Sequence, residues 1–273
     1  MLAPINQRFA ITVIKEIQTD GHNPLLVIAD DYEYYYVKSC KRIPDFTIIS
    51  EFLCNFFLQC WHIPTPEMAA VMVDPDILIP GLSINNRSHH FSTICFGSKQ
   101  VKDAIDLQEF ITAERKVDLK KIQNPEIIFR LTLFDIWVEN DDRKPTNNNL
   151  LLANINNQKQ IVAIDNSYTF STLSYDQLNP SFVSSSFNDS ILLSSIGKGI
   201  LKKTKINDKW LHKVKENYYL CIENCKSNYT DIVRFIPAEL GFLTHFQENI
   251  ANFLFDEKRN ENVFMEFVSR LKI

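Results

Sequence analysis

Phe134-Asp135-Ile136-Trp137-Val138-Glu139-Asn140-Asp141-Asp142-Arg143-Lys144-Pro145-Thr146-Asn147-Asn148-Asn149 joins an apolar run of helical period to a loop too polar to be structural filler. Upstream, Pro125 to Glu139 carries Ile128, Leu131, Phe134 and Val138 on one stripe, which predicts an amphipathic helix packed on a core. Downstream, Leu150-Leu151-Leu152 and Ile161-Val162-Ala163-Ile164 are short apolar strands that bracket a hairpin at Ile155-Asn156-Asn157-Gln158, and the second ends at Asp165. Helix, polar loop and hairpin thus present Asp142 and Asn147 before the hairpin and Asp165 just after it.

Toward the amino terminus, Phe9-Ala10-Ile11-Thr12-Val13-Ile14, Leu25-Leu26-Val27-Ile28-Ala29 and Tyr34-Tyr35-Tyr36-Val37-Lys38 read as three strands of an antiparallel meander, the first two separated by the turn signal Asp20-Gly21-His22-Asn23-Pro24. Pro44-Asp45-Phe46-Thr47 opens a helix that runs through Trp61, with Phe52, Phe56 and Cys60 at four-residue spacing. Glu67 to Val73 is a further strand. The polar, turn-rich stretch from Ser83 to Lys102, which contains His89 and His90, reads as the join between two lobes. Toward the carboxyl terminus, a serine-rich loop precedes helices that include Lys209 to Ile222 and Ala238 to Phe253, and Lys202-Lys203-Thr204-Lys205 reads as a solvated helix start.

Composition narrows the function classes. The chain has 273 residues, 29 Lys and Arg against 33 Asp and Glu, a net charge of −4, and 45% hydrophobic and 23% charged residues, as expected of one or two globular domains with a real core. This balance gives no footprint for direct nucleic-acid binding, which needs clustered excess Lys and Arg. No stretch approaches the roughly 18 apolar residues of a membrane span, so the chain reads as cytoplasmic, with no membrane association. The six glycines, at 21, 81, 97, 197, 199 and 241, are scattered, and neither G-x-G-x-x-G nor G-x-x-x-x-G-K-[ST] can be written. The six cysteines form no C-x-x-C pair and read as reduced core residues, although Cys221 and Cys225 share a helix spacing that a metal or redox pair would also use.

Phosphoryl transfer asks a protein mainly for positioning and charge neutralisation. A carboxylate must orient the acceptor hydroxyl, and an amide and a second carboxylate must hold Mg²⁺. Asp142, Asn147 and Asp165 meet these needs, because Asp142 and Asn147 have the D-x-x-x-x-N spacing of kinase catalytic loops. Lys38, ending the third strand, meets the need for a phosphate-directed lysine, and Glu51, on the following helix, for the group that holds it. Asp135, Glu139 and Asp142 at helical spacing could instead form a carboxylate metal cluster, though no inward histidine accompanies them.

The F-D-x-W-x-x-N-x-D-R-x-P-x-N pattern from Phe134 to Asn147 resembles that of HipA-like kinases, distant relatives of phosphoinositide and protein kinases. In the same order, Ser50-Glu51-Phe52, Ile63-Pro64-Thr65-Pro66-Glu67, Phe96-Gly97-Ser98-Lys99, Ala163-Ile164-Asp165-Asn166 and Phe235-Ile236-Pro237-Ala238-Glu239-Leu240 resemble further elements of that family. The resemblance implies an α+β, bilobal protein-kinase-like fold, with a small antiparallel β-rich lobe over residues 1–92 and a mainly helical lobe over 93–273. It implies ATP and Mg²⁺ as cofactors, Lys38 on the phosphates, Glu51 as its partner, Asp142 as catalytic base, and Asn147 and Asp165 as metal ligands. Asn148 is the alternative ligand within the triple asparagine. In place of a glycine-rich lid, Asp20-Gly21-His22-Asn23 serves as a looser turn over the phosphates, which puts Gly21 among the cofactor-binding residues. Where kinases carry a glycine after the metal aspartate, this chain has Asn166-Ser167. A Ser or Thr protein substrate and a toxin- or stress-related role beside an antitoxin-like partner complete what the resemblance implies. A catalytically weak, nucleotide-sensing module is the alternative.

Overall fold

The computed structural model describes residues 2–19, 21–108, 110, 122–155, 158–172, 174–186, 188 and 190–272. Asp20 of the expected phosphate turn and Asn156-Asn157 of the expected hairpin turn lie outside the described residues. The meander forms as predicted: β1 (Asn6–Glu16), β2 (Leu25–Ala29) and β3 (Tyr34–Lys38) pair antiparallel in sequence order. Its β-branched and aromatic side chains alternate, so Val13, Leu25, Val27, Tyr35 and Val37 point into a common core.

The complete sheet is a closed barrel in the order β1-β2-β3-β5-β4, and it is not wholly antiparallel. β4 (Met68–Met72) runs parallel to the first residues of β1, with Asn6 opposite Ala69 and Phe9 opposite Met72. The reason is the helix α1 (Phe46–Cys60) that intervenes, since a crossover of that length lets a strand return in the same direction as the one it joins. Two register shifts within β1 bend it so that one half pairs with β4 and the other with β2. β5 (Cys95–Lys99) pairs antiparallel with both β3 and β4, so the barrel runs to Lys99, past position 92 and into the stretch expected to join two lobes. Gly97 is required there, because a Cβ would lie 2.4 Å from Cγ2 of Val71.

Asp45 caps α1, its carboxylate accepting from the Thr47 and Ile48 backbone N–H groups. The predicted amphipathic helix is α2 (Ile127–Val138), but every residue except Arg130 is buried. It is a central helix with no solvent face, and its apolar residues all round reflect that. Trp137 donates from Nε1 to the Leu254 carbonyl at 3.0 Å, tying α2 to the carboxyl-terminal helices. A second sheet, in the order β6-β8-β9-β7, comprises β6 (Ile105–Asp106), β7 (Ile122–Gln123), β8 (Leu150–Ile155) and β9 (Gln158–Ala163).

The remaining helices among the described residues are α3 (Ser195–Lys203), α4 (Asp208–Phe235), α5 (Thr244–Leu254) and α6 (Glu257–Arg270). Lys202 and Lys203 close α3 and do not open a helix, which places cations at the negative end of its dipole. α4 runs well beyond Ile222, because Asn224 and Asn228 bond back within the helix and to the Cys60 carbonyl and do not form a loop. The helix expected from Ala238 is split: a short 3₁₀ turn ends at Gly241, whose φ is 70°, and α5 starts at Thr244. All six cysteines are buried free thiols. No helix among the described residues is long and apolar enough to cross a membrane.

Candidate active site

β3 ends on Lys38 and α1 carries Glu51 to meet it. Lys38 Nζ lies 2.5 Å from Glu51 Oε1 and 2.7 Å from Asp165 Oδ1, and it donates to Ser167 Oγ at 2.9 Å. The Ser167 hydroxyl in turn donates to Glu51 Oε1 at 2.8 Å, and the Asn166 backbone N–H donates to Glu51 Oε2 at 2.9 Å. These contacts join three segments distant in sequence. Asp165 leaves β9 with φ of 52°, a left-handed conformation that Asp tolerates better than most residues.

The charges here are set by burial and pairing. Burial alone would lower the Lys38 ammonium, but the carboxylates of Asp165 and Glu51 outweigh it and hold its pKa above the ordinary lysine value. Burial likewise opposes ionisation of Asp165, yet Lys38 prevails and brings that carboxyl down to about 2. On Glu51 burial wins and its carboxyl is raised, so the firmest counter-charge to Lys38 is Asp165.

The Asp142 loop is built from the other side. Asn140 Oδ1 accepts from the backbone N–H groups of Asp142 at 3.1 Å and Arg143 at 3.3 Å, which folds the chain tightly after α2. Asn147 Nδ2 donates to one Asp142 oxygen at 2.9 Å and Asn149 Nδ2 to the other at 3.0 Å. Asn148 faces away, buried, and donates to Gln108 at 2.8 Å. Beneath the loop the buried guanidinium of Arg143 pairs with Asp135 and donates to the Ile164 carbonyl at 3.0 Å and to Asn166 Oδ1 at 2.9 Å. One side chain therefore links α2, the Asp142 loop and the segment around Asp165. The hairpin adds a second link, with Leu150 opposite Ala163 and Ile164 donating to the Asn149 carbonyl at 3.0 Å.

The structure joins Lys38, Glu51 and Asp165 in one set of contacts and Asp142 with Asn147 in another, and β8, β9 and Arg143 hold the two sets side by side. Gly21 lies against Tyr168, three residues beyond Asp165, where a Cβ would be 3.4 Å from the Tyr168 hydroxyl. Sequence reasoning did not assign Ser167 or Asn149. The only trace of Ser167 was its place where a glycine was expected. Asp135 and Glu139 do not gather with Asp142: Asp135 is bound to Arg143, while Glu139 accepts from Ser184 and pairs with Arg259. No cluster of three or more His, Cys, Asp or Glu with metal-binding proximity occurs among the described residues.

The donor chemistry suits a hard cation bound together with phosphates, since Mg²⁺ is usually held by one or two carboxylates plus substrate oxygens. Asp165 supplies a carboxylate that is ionised and 35% exposed. Asn147 gives its amide N–H to Asp142, which leaves its carbonyl oxygen outside that bond and of a chemistry that would suit such a cation.

A barrel whose lysine is held by a helix glutamate, set beside a helix, polar loop and hairpin bearing two carboxylates and an amide, defines a kinase-like protein. The chain belongs to the HipA-like kinase family, whose model matches residues 10–259. Among solved structures it is similar to a Helicobacter pylori proinflammatory kinase, CtkA, at 15% identity and a TM-score of 0.55, over 98% of this chain and 99% of that one. That likeness bears on the fold. No curated protein matches.

Proposed function

We propose that this HipA-like kinase is an ATP- and Mg²⁺-dependent phosphotransferase acting on a Ser or Thr hydroxyl of a protein, with the barrel and the helical part as its two lobes. The observation that carries this reading is the closed contact set of Lys38, Glu51 and Asp165, because kinase catalysis requires the lysine–glutamate pair and the metal aspartate to be in place together. Asn147 and Asp165 would hold Mg²⁺, which in kinases neutralises charge on the β- and γ-phosphates. Asp142 takes the acceptor hydroxyl's proton. The N–H groups of Asn147 and Asn149 aim its carboxylate, and its partial exposure leaves room for the incoming hydroxyl.

Lys38 has three N–H donors, and Glu51, Asp165 and Ser167 engage all of them. To contact a phosphate it must release one partner. Asp165, at 35% side-chain exposure against 2% for Glu51, is the one that can leave without stranding a buried charge. The same saturation favours the second reading, a nucleotide-sensing module in which Lys38 stays committed to its protein partners and transfer is weak.

Incubation with labelled ATP separates the readings. Phosphoryl transfer above an Asp142→Ala control supports the enzyme, tight Mg²⁺-ATP binding without transfer supports the module, and transfer unchanged by Asp142→Ala would sink the assignment of the base. A cytoplasmic role beside an antitoxin-like protein partner belongs to the same proposal, and co-purification from the native cell tests it.

A further inference from the structure

A separate concavity opens in the helical part, lined by the first turn of α2, the first half of α4 and the residue that ends α1. It encloses about 250 Å³ and shares no lining residue with the Lys38 or Asp142 groups. Arg130, the one residue of α2 that is not buried, lines this opening. On α4, Trp210, Lys213 and Asn217 follow one another at three- and four-residue spacing with Tyr218 beside them, so one face of that helix borders the space.

The walls are aromatic. Trp210 meets Phe129 edge-on at 5.0 Å between ring centroids, and Trp61 meets Tyr218 edge-on at 5.8 Å. Trp61, Phe129 and Tyr218 are buried and Trp210 is half-buried, so the rings are fixed by the core behind them. Because an apolar cavity of about 150 Å³ admits benzene, the volume here has room for a fused pair of rings or one ring with a short side chain.

The charges at the opening are unbalanced. The hydrogen bonds of Arg130 among the described residues run from Nη1 to the Trp61 and His62 carbonyls at 3.3 and 3.4 Å, and neither Arg130 nor Lys213 forms an ion pair there. Glu126, the one acid on the lining among the described residues, is exposed and bridges to neither cation. A planar guanidinium with most of its five donors uncommitted matches a carboxylate, which it can grip through two parallel bonds.

We infer that this cavity is a binding site for a small aromatic carboxylate, its ring packed on the aromatic walls and its carboxylate on Arg130 with Lys213 beside it. The inference is independent of the nucleotide reading. Burial of the ring supplies the attraction, and the two cations select the acid over a neutral molecule of the same shape.

The test uses calorimetry on the full chain at pH 7 with indole-3-acetate, its neutral analogue indole-3-acetamide, and acetate. Wild type should prefer indole-3-acetate to the amide about tenfold or more and bind no acetate at millimolar concentration. Arg130→Gln should weaken binding of the acid about tenfold and leave the amide unchanged, Lys213→Gln should do the same about threefold, and Trp210→Ala should weaken acid and amide alike. If Arg130→Gln, which also gives up bonds to two carbonyls, does not fold, the exposed Lys213 carries the charge comparison. Three results would each overturn the inference: no binding of indole-3-acetate to wild type at millimolar concentration, equal affinity for acid and amide, or an affinity for the acid that the folded charge variants or Trp210→Ala leave unchanged.

Discussion

The two halves of the site solve opposite problems. Around Lys38 a buried cation meets one buried carboxylate, Glu51, and one partly exposed carboxylate, Asp165, so the buried pair needs partners merely to be present in the fold. Around Asp142 a single carboxylate, half-buried, is steadied by neutral amides and makes no ion pair among the described residues. On the proposed function, the contrast separates scaffold from reactant. The Lys38 group couples the barrel, α1 and the segment after β9, and its members matter to stability as well as to chemistry. The Asp142 group sits on a loop already folded by Asn140 and Arg143, so Asp142 can change without unfolding the chain.

The largest effect that tests this contrast is on transfer. Asp142→Ala should lower phosphoryl transfer by about two to four powers of ten while leaving the urea midpoint unchanged. A comparable loss of stability in that variant would break the division between the halves. Lys38→Met should do the reverse in emphasis, costing about 3–5 kcal/mol of folding stability because it leaves Glu51 and Asp165 without their shared cation. Chemical denaturation reads this directly, and a cost under about 1 kcal/mol would mean that the buried charges are not coupled as their geometry indicates. Ser167→Ala removes one bridging hydroxyl and should cost about 1–3 kcal/mol, with Lys38 still paired to Glu51. A loss as large as that of Lys38→Met would place Ser167 among the primary anchors.

The smallest effect concerns pH and the brace under the Asp142 loop. Burial, opposed by Arg143, raises the Asp135 carboxyl to about 6. A group raised on folding adds most stability below its unfolded pKa and loses that contribution as pH rises through the folded value. Between about pH 4 and pH 6 the wild type should therefore lose stability relative to Asp135→Asn as pH increases. Parallel stability curves for the two proteins across that window would show that Arg143 already keeps Asp135 ionised throughout.

Much of the local structure was readable in the residues. β2 and β3 lie where their β-branched and aromatic runs lie, α1 begins at its Asp45 cap, and the hairpin lies between Asn149 and Asp165 as its two short apolar runs indicate. The helix stripe of α2 was misread as amphipathic, since periodicity reports the face that must be buried and is silent on whether the other face is buried too. The polar composition of residues 223–231 hid the continuation of α4, because asparagines that bond within a helix look like loop residues in a linear chain.

What the sequence determined by itself is the order and spacing of the chemistry: Lys38, Glu51, Asp142, Asn147 and Asp165 on strand, helix, loop and hairpin exit. Those placements depend on short-range rules of period, capping and turn formation, which act over a few residues. Tertiary structure alone decided that Asn148 turns to Gln108 while Asn147 and Asn149 turn to Asp142, that Ser167 bridges Lys38 and Glu51, that β4 closes the barrel in parallel, and that His22 is buried beside Tyr168. Each of these is a choice of partner between segments far apart in the chain, settled by which burial satisfies the most polar groups at once. No local pattern carries that information.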